Sequence, residues 1–161
     1  MPKNKYYQGV YTPENPDKYE GNSSNIVFRS LWEKKLMQFA DRNPGVKSWS
    51  SEEIVIPYIS PVDKRMHRYF MDFKIVFTNG ETYLVEVKPE AQTKPPNVKR
   101  RTKRVKEQIQ TYAVNQAKWA SAKTFAEDRN WKFEVWTERV LKDGLGLMIN
   151  VPKKYSRKTS K

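Results

Sequence analysis

The order of elements predicts an α/β fold in which helices cover a mixed central sheet. Three observations carry it. A capped amphipathic helix lies near the start, strand-forming runs flank an Asn-Gly turn in the middle, and helical stretches followed by one more strand-forming run close the body. At 161 residues the chain suits one domain with a core large enough to fold alone, and leaves little room for a separate cofactor domain.

Residues 1–25, rich in Tyr, Pro, Asn and Gly, read as an irregular arm that packs on the body through its aromatics. Ser30-Leu31-Trp32-Glu33 is a capping-box pattern. Trp32, Leu36, Phe39 and Ala40 follow at helical spacing, and Asn43-Pro44-Gly45 stops the helix. Glu52–Ser60 reads as a strand demoted to an edge by Pro57, and Pro61–Arg68 as a polar loop. Tyr69–Thr78 and Glu81–Lys88 form a hairpin around Asn79-Gly80. Pro89, Pro95 and Pro96 open a loop. A helix runs from about Lys99 to Val114, a second starts at Asn115 as a cap, and Lys132–Val140 is the last clear strand, with Leu145–Ile149 ambiguous.

Composition excludes several chemistries. There is no cysteine, hence no disulfide, thiolate metal site or thiol nucleophile, and the single histidine excludes multi-histidine metal sites. No apolar run approaches the ~20 residues of a membrane span, and no secretory signal follows Met1, so a soluble protein that is neither membrane-bound nor secreted is expected. The net charge of +13 points to a polyanionic partner. It is concentrated in two runs without acids: Lys94, Lys99, Arg100, Arg101, Lys103, Arg104 and Lys106, and a C-terminal tail over 151–161. The body, 26–150, is otherwise close to neutral.

The hairpin has two possible registers. A two-residue Asn79-Gly80 loop sets Phe73 opposite Glu86 and puts a carboxylate on the apolar face. A three-residue loop, Thr78-Asn79-Gly80, closed by a bulge with Gly80 left-handed, sets Phe73 opposite Val85 and Asp72 opposite Glu86. Burial of Phe73, Ile75, Val85 and Tyr83 selects the second. Two carboxylates so placed, with β-carbons about 4.5–5.5 Å apart, repel each other. A divalent cation held by oxygen ligands would compensate them, as Mg²⁺ or Mn²⁺ does; exposed acids balanced by Lys74 and Lys88 are the simpler alternative.

Asp72, followed across the hairpin by Glu86-Val87-Lys88, resembles the D…(D/E)xK core of the PD-(D/E)XK nuclease superfamily. The surrounding order of elements matches that superfamily's αβββαβ core, a restriction-endonuclease-like fold, over roughly residues 26–140. Asn15-Pro16-Asp17-Lys18-Tyr19, Phe28-Arg29-Ser30-Leu31-Trp32-Glu33, Tyr69-Phe70-Met71-Asp72-Phe73 and Val85-Glu86-Val87-Lys88-Pro89 resemble the T4-type phage head-completion nucleases. They are also similar to the endonuclease subunit of Tn7-type transposition. Met71 departs from the motif's proline, a position that shapes the strand and is not a ligand.

The resemblance implies a metal-dependent DNA endonuclease acting in head completion, in the virion or the host cytoplasm. DNA and possible portal or head proteins would be its partners, Mg²⁺ (or Mn²⁺) its cofactor, with no nucleotide cofactor. It implies Asp72, Glu86 and the Val87 carbonyl as metal ligands, with Glu33 reaching the metal from the first helix. Lys88 would activate water and offset charge at the phosphate. Ser30-x-x-Glu33 as a capping box is the alternative explanation of Glu33. Lys74 and Lys94–Arg104 are candidate phosphate contacts. Gln108 and Tyr112 echo a QxxxY motif of related exonucleases, and His67 invites a general-base or phosphate-contact reading. A non-catalytic DNA-binding virion protein and a transposase-type or junction-resolving endonuclease are the alternatives.

Overall fold

The fold comes from a computed structural model describing residues 8–99 and 101–144. Arg100, Leu145–Ile149 and the tail at 151–161 lie outside the described residues. Helix α1, Leu31–Arg42, starts where the sequence places it: the Ser30 hydroxyl accepts from the Glu33 amide at 3.1 Å. Its apolar stripe, Leu36, Met37, Phe39 and Ala40, is buried. Four strands make the central sheet in the order β3 (Val46–Ser51), β6 (Phe73–Phe77), β7 (Thr82–Val87), β8 (Lys132–Trp136). The β3–β6 and β6–β7 pairs are antiparallel, and β8 lies parallel to β7. That parallel return needs a crossover, which helix α2, Lys103–Glu127, supplies. In order, α1-β3-β6-β7-α2-β8 is an αβββαβ core with a mixed sheet.

The β6–β7 register is the bulged one. Phe73 pairs with Val85, Lys74 with Leu84 and Ile75 with Tyr83. The Gly80 amide donates to the Phe77 carbonyl at 3.0 Å, Phe77 and Glu81 close the loop, and Gly80 sits at φ +96°. Phe73, Ile75, Tyr83 and Val85 therefore bury against α1, while Leu84 packs on α2 with Ala122 and Ala126. Strand β7, covered on both faces, is the centre of the molecule.

Several elements differ from the sequence reading. Strand β3 escapes a period-two reading because Val46 and Trp49 are an odd number of residues apart. A bulge between Val46 and Ser48 brings both onto the α1 face, where they are fully buried. The expected strand Tyr69–Thr78 is two strands: β5, Met66–Phe70, pairs with β4, Val55–Ile59, and after Met71-Asp72 the chain changes partner to become β6. The loop expected at Pro61–Arg68 thus ends at Arg65. Asn115 is not a cap but a buried residue inside one 25-residue α2, whose N-cap is Thr102, accepting from the Val105 amide at 3.1 Å. The last strand ends at Trp136 rather than Val140, where a short π-helical turn begins.

The arm is fastened by an acid. Strand β1, Gly9–Tyr11, pairs with β2, Ile26–Phe28. Between them Asp41, fully buried at the end of α1, accepts from the Tyr11 hydroxyl (2.7 Å) and from the Glu14 and Asn15 amides (2.7 and 2.9 Å). Lys18 Nζ donates to the terminal carbonyls of Asp41 and Asn43 at 3.0 and 2.8 Å, and so caps the helix. Tyr19 meets Trp49 edge-on at 4.8 Å. The segment Asn15–Tyr19 is therefore a clamp. Burial works against Asp41's ionisation, but the Tyr11, Glu14 and Asn15 donors outweigh it and hold the carboxyl below its ordinary range. Asp41→Ala orphans three donors and should lower unfolding free energy by about 2–4 kcal/mol in urea titrations. Because the folded pKa is depressed, this stabilisation is present at neutral pH and lost as pH falls through the folded value. Limited proteolysis should release the arm only below about pH 4.

Candidate active site

The two strands that carry the motif deliver it to one end of the sheet. Asp72 stands at the root of β6, where the chain leaves β5 for β3. Glu52, left-handed at φ 58°, makes the corresponding corner between β3 and β4, and its amide donates to the carbonyls of Met71 and Asp72 at 3.0 and 3.2 Å. A non-glycine residue in that conformation is uncommon, and here the Met71 and Asp72 carbonyls hold it. Glu86 and Val87 end β7. The Lys88 amide continues the ladder by donating to the Trp136 carbonyl at 3.1 Å.

The side chains meet across this corner. Asp72 Oδ2 accepts from the Val87 amide at 2.9 Å, while Oδ1 makes no hydrogen bond among the described residues. Glu86, buried, takes the Tyr69 hydroxyl on Oε1 and Lys88 Nζ on Oε2 at 3.2 Å. Lys88 keeps one fifth of its side chain exposed, so its ammonium faces both the acid and solvent. Glu33 Oε1 accepts from the Arg29 amide at 2.8 Å, and Arg29 in turn pairs with Glu52. Glu33 thus does part of the capping work read from the sequence while standing within the field of the other acids.

The electrostatics are those of crowded carboxylates. Burial and then the Glu86 charge push Asp72 well above the usual carboxylate range, against the Val87 amide and Lys88. Burial also raises Glu33, the Arg29 amide opposes, and Glu52 and Glu86 add to the rise. Tyr69 is raised by burial and by Glu86, so it stays protonated as a donor.

Among the described residues no three acidic or histidine side chains converge as a ready-made metal cage. The donor chemistry nevertheless fits a hard divalent cation that keeps several waters. Asp72 and Glu86 are oxygen donors that repel one another in a desolvated corner, Asp72 has an oxygen left over, and the Val87 carbonyl belongs to the same strand end.

The other expected residues are scattered. Lys74, expected to meet phosphates, is instead committed: its ammonium lies 3.0 Å from Glu20 Oε1 and 4.8 Å from the Trp131 ring centre, fastening the arm to the sheet. Lys94 pairs loosely with Glu90 at 3.5 Å, and Lys99, Arg101, Lys103 and Arg104 are exposed on the approach to α2 and its first turn. Gln108 is exposed and Tyr112 half-buried on α2; among the described residues neither hydrogen-bonds to the carboxylates. His67 lies in β5 rather than in a loop, with Nε2 2.8 Å from Asp63 Oδ2, away from the carboxylates. Sequence reasoning missed Tyr69, Arg29 and Glu52. Their roles depend on pairing across the β4–β5 hairpin and the α1 entry, which no local spacing announces.

An αβββαβ core with an acid at the partner-switch of one strand and an acid and a lysine ending the next defines a restriction-endonuclease-like nuclease domain. Residues 43–138 match the family described as the TnsA-like endonuclease N-terminal domain, and the chain belongs to that family. It is 39% identical over 145 residues to the head completion nuclease of Enterobacteria phage T4, covering 86% of this chain and 93% of that one. The crystal structure of protein VC1899 from Vibrio cholerae overlaps 78% of this chain and 33% of its own, at 18% identity and a TM-score of 0.31, too distant to bear on the argument. Among the described residues no helix is long and apolar enough to cross a membrane.

Proposed function

We propose that this chain is a divalent-metal-dependent DNA endonuclease that hydrolyses phosphodiester bonds during phage head completion. The observation that carries the reading is the meeting of Asp72 with Glu86 and Lys88 at one corner of the sheet, in a chain of an endonuclease family. Asp72, Glu86 and the Val87 carbonyl would hold Mg²⁺ or Mn²⁺. When bound, the cation supplies a polarised phosphoryl oxygen and a water of lowered pKa. The chain's own groups do the rest. Tyr69 orients Glu86 through its hydroxyl. Lys88 places a positive charge beside the reacting phosphate, where charge grows as the bond breaks. The exposed Lys99, Arg101, Lys103 and Arg104 grip the backbone without reading sequence, so affinity falls steeply with salt.

The test is incubation of duplex, single-stranded and branched DNA with Mg²⁺ or Mn²⁺ beside an EDTA control. Cleavage of at least one form with metal and of none in EDTA is expected. Metal-independent cleavage, or binding of every form with no cleavage of any, would overturn the reading. The choice among forms separates head completion on packaged duplex from junction resolution.

A further inference from the structure

The β4–β5 hairpin interrupts the αβββαβ core and buries only one of its faces. Ile56, Tyr58 and Tyr69 pack inward with Ala122 and Ala126 of α2, which holds the ribbon against the body. The ladder sets Val55 opposite Phe70, Pro57 opposite Arg68 and Ile59 opposite Met66 on the outer face. There Met66 is 63% exposed, Ile59 58%, Phe70 45% and Val55 38%. A run of large apolar side chains left open on a rigid ribbon marks a surface with an occupant.

Charge and position choose the occupant. The exposed ions on and beyond this face are Arg68, whose guanidinium lies over the Phe70 ring at 5.3 Å, and Lys64 and Arg65 at the tip; the neighbouring acid, Asp63, is taken by His67. The ribbon is rooted in the active corner. The Met71 amide donates to the Ile54 carbonyl at 2.9 Å, one rung beyond the Val55–Phe70 pair, and Glu52 holds the Asp72 carbonyl. Strand addition by a second copy is blunted on the β4 edge. The even-numbered residues of β4 bond inward to β5, so Pro57, which has no N–H, lies on the free edge.

We propose that the outer face of this hairpin is a DNA-docking surface that seats the duplex flanking the cleaved phosphate. Lys64, Arg65 and Arg68 meet its backbone, and Met66, Phe70 and Ile59 lie in a groove. Five paired residues span about 17 Å, the rise of about five base pairs, and a two-stranded ribbon fits the major groove. This rests on the nuclease reading for its substrate class.

The experiment reads binding of the full chain to a fluorescent 30-base-pair duplex in EDTA, so it does not depend on whether the site cuts. Arg65→Ala/Arg68→Ala should weaken binding at least 10-fold and flatten the log–log salt slope by about 2. Ile59→Ser/Met66→Ser should weaken it about 5-fold with the slope unchanged. Arg42→Ala/Lys47→Ala, which removes the same charge from elsewhere, should do neither. A photo-crosslinking residue at position 66 should label the duplex, which checks contact without relying on the stability of any variant. Affinities for the two hairpin variants within 2-fold of the Arg42/Lys47 control, with no crosslink, would overturn the proposal. So would a dimer in sedimentation that Ile59→Ser/Met66→Ser makes monomeric while duplex affinity stays unchanged. Failure of the metal-dependent cleavage assay with the hairpin effects intact would sink the nuclease reading alone.

Discussion

Asp72→Asn should abolish metal-dependent cleavage and, with the cation removed, make the protein harder to unfold. The two effects share one cause. Asp72 is buried beside Glu86, and its carboxyl is pushed well above the ordinary range, by desolvation first and by that neighbour second. A raised folded pKa means that the native state prefers the protonated acid. The associated stability is complete below the unfolded value of about 3.9 and is lost as pH rises through the folded one. Asparagine removes the repulsion yet keeps an oxygen to accept from the Val87 amide. In EDTA at pH 8 the gain should be about 1–2 kcal/mol, or about 3–6 °C in Tm, shrinking toward pH 4. Mg²⁺ should narrow the difference at pH 8 by stabilising the parent alone, since only the parent presents both carboxylates. Cleavage should fall by about 10³-fold or more, as losing an electrostatic element essential to the transition state does. A variant that melts lower than the parent at pH 8 in EDTA would show that Asp72 is not held under repulsion.

This corner also shows what one sequence discloses. The hairpin register was legible because burial of Phe73, Ile75, Val85 and Tyr83 allows only one parity, and Asn79-Gly80 supplies the turn that gives it. Placing Asp72 beside Glu86 follows from that parity. The break between β5 and β6 was not legible. Tyr69, Met71 and Phe73 alternate without interruption, and the change of partner at Asp72 is a tertiary event enforced by Glu52 at the opposite corner. Trp49 was hidden by a bulge, and Tyr69's hydroxyl by the same partner change. Nothing local in the sequence marks Asp41; only the folded arm supplies the three donors that explain it. Lys74 lay on the right face, but its ammonium is claimed by Glu20 of that arm, 54 residues earlier in the chain. Local pattern thus located the strand faces, while residues whose roles depend on partners far along the chain stayed out of reach.

Lys88→Ala should cut cleavage by about 10²–10³-fold and, unlike Asp72→Asn, should destabilise the protein. The ammonium lies 3.2 Å from Glu86 Oε2 and counts among the influences that favour ionised Asp72. Removing it leaves Glu86 buried with Tyr69 as its remaining side-chain partner and strengthens the repulsion that Asp72→Asn relieves. Breaking a fully buried pair costs about 3–5 kcal/mol; with Lys88 one-fifth exposed, a loss of about 1–2 kcal/mol is expected in urea titrations. The backbone should stay in place, because the Lys88 amide is held by the Trp136 carbonyl. The kinetic split is equally specific. Several exposed cations share the grip on DNA, so KM should change less than 3-fold while kcat carries the loss, the mark of an interaction made chiefly in the transition state. Lys88→Arg restores the charge on a differently shaped head and should recover most of the stability but only part of kcat. Parental kcat in Lys88→Ala would remove this lysine from the chemistry. A loss confined to KM would reassign it to the grip formed by Lys99, Arg101, Lys103 and Arg104.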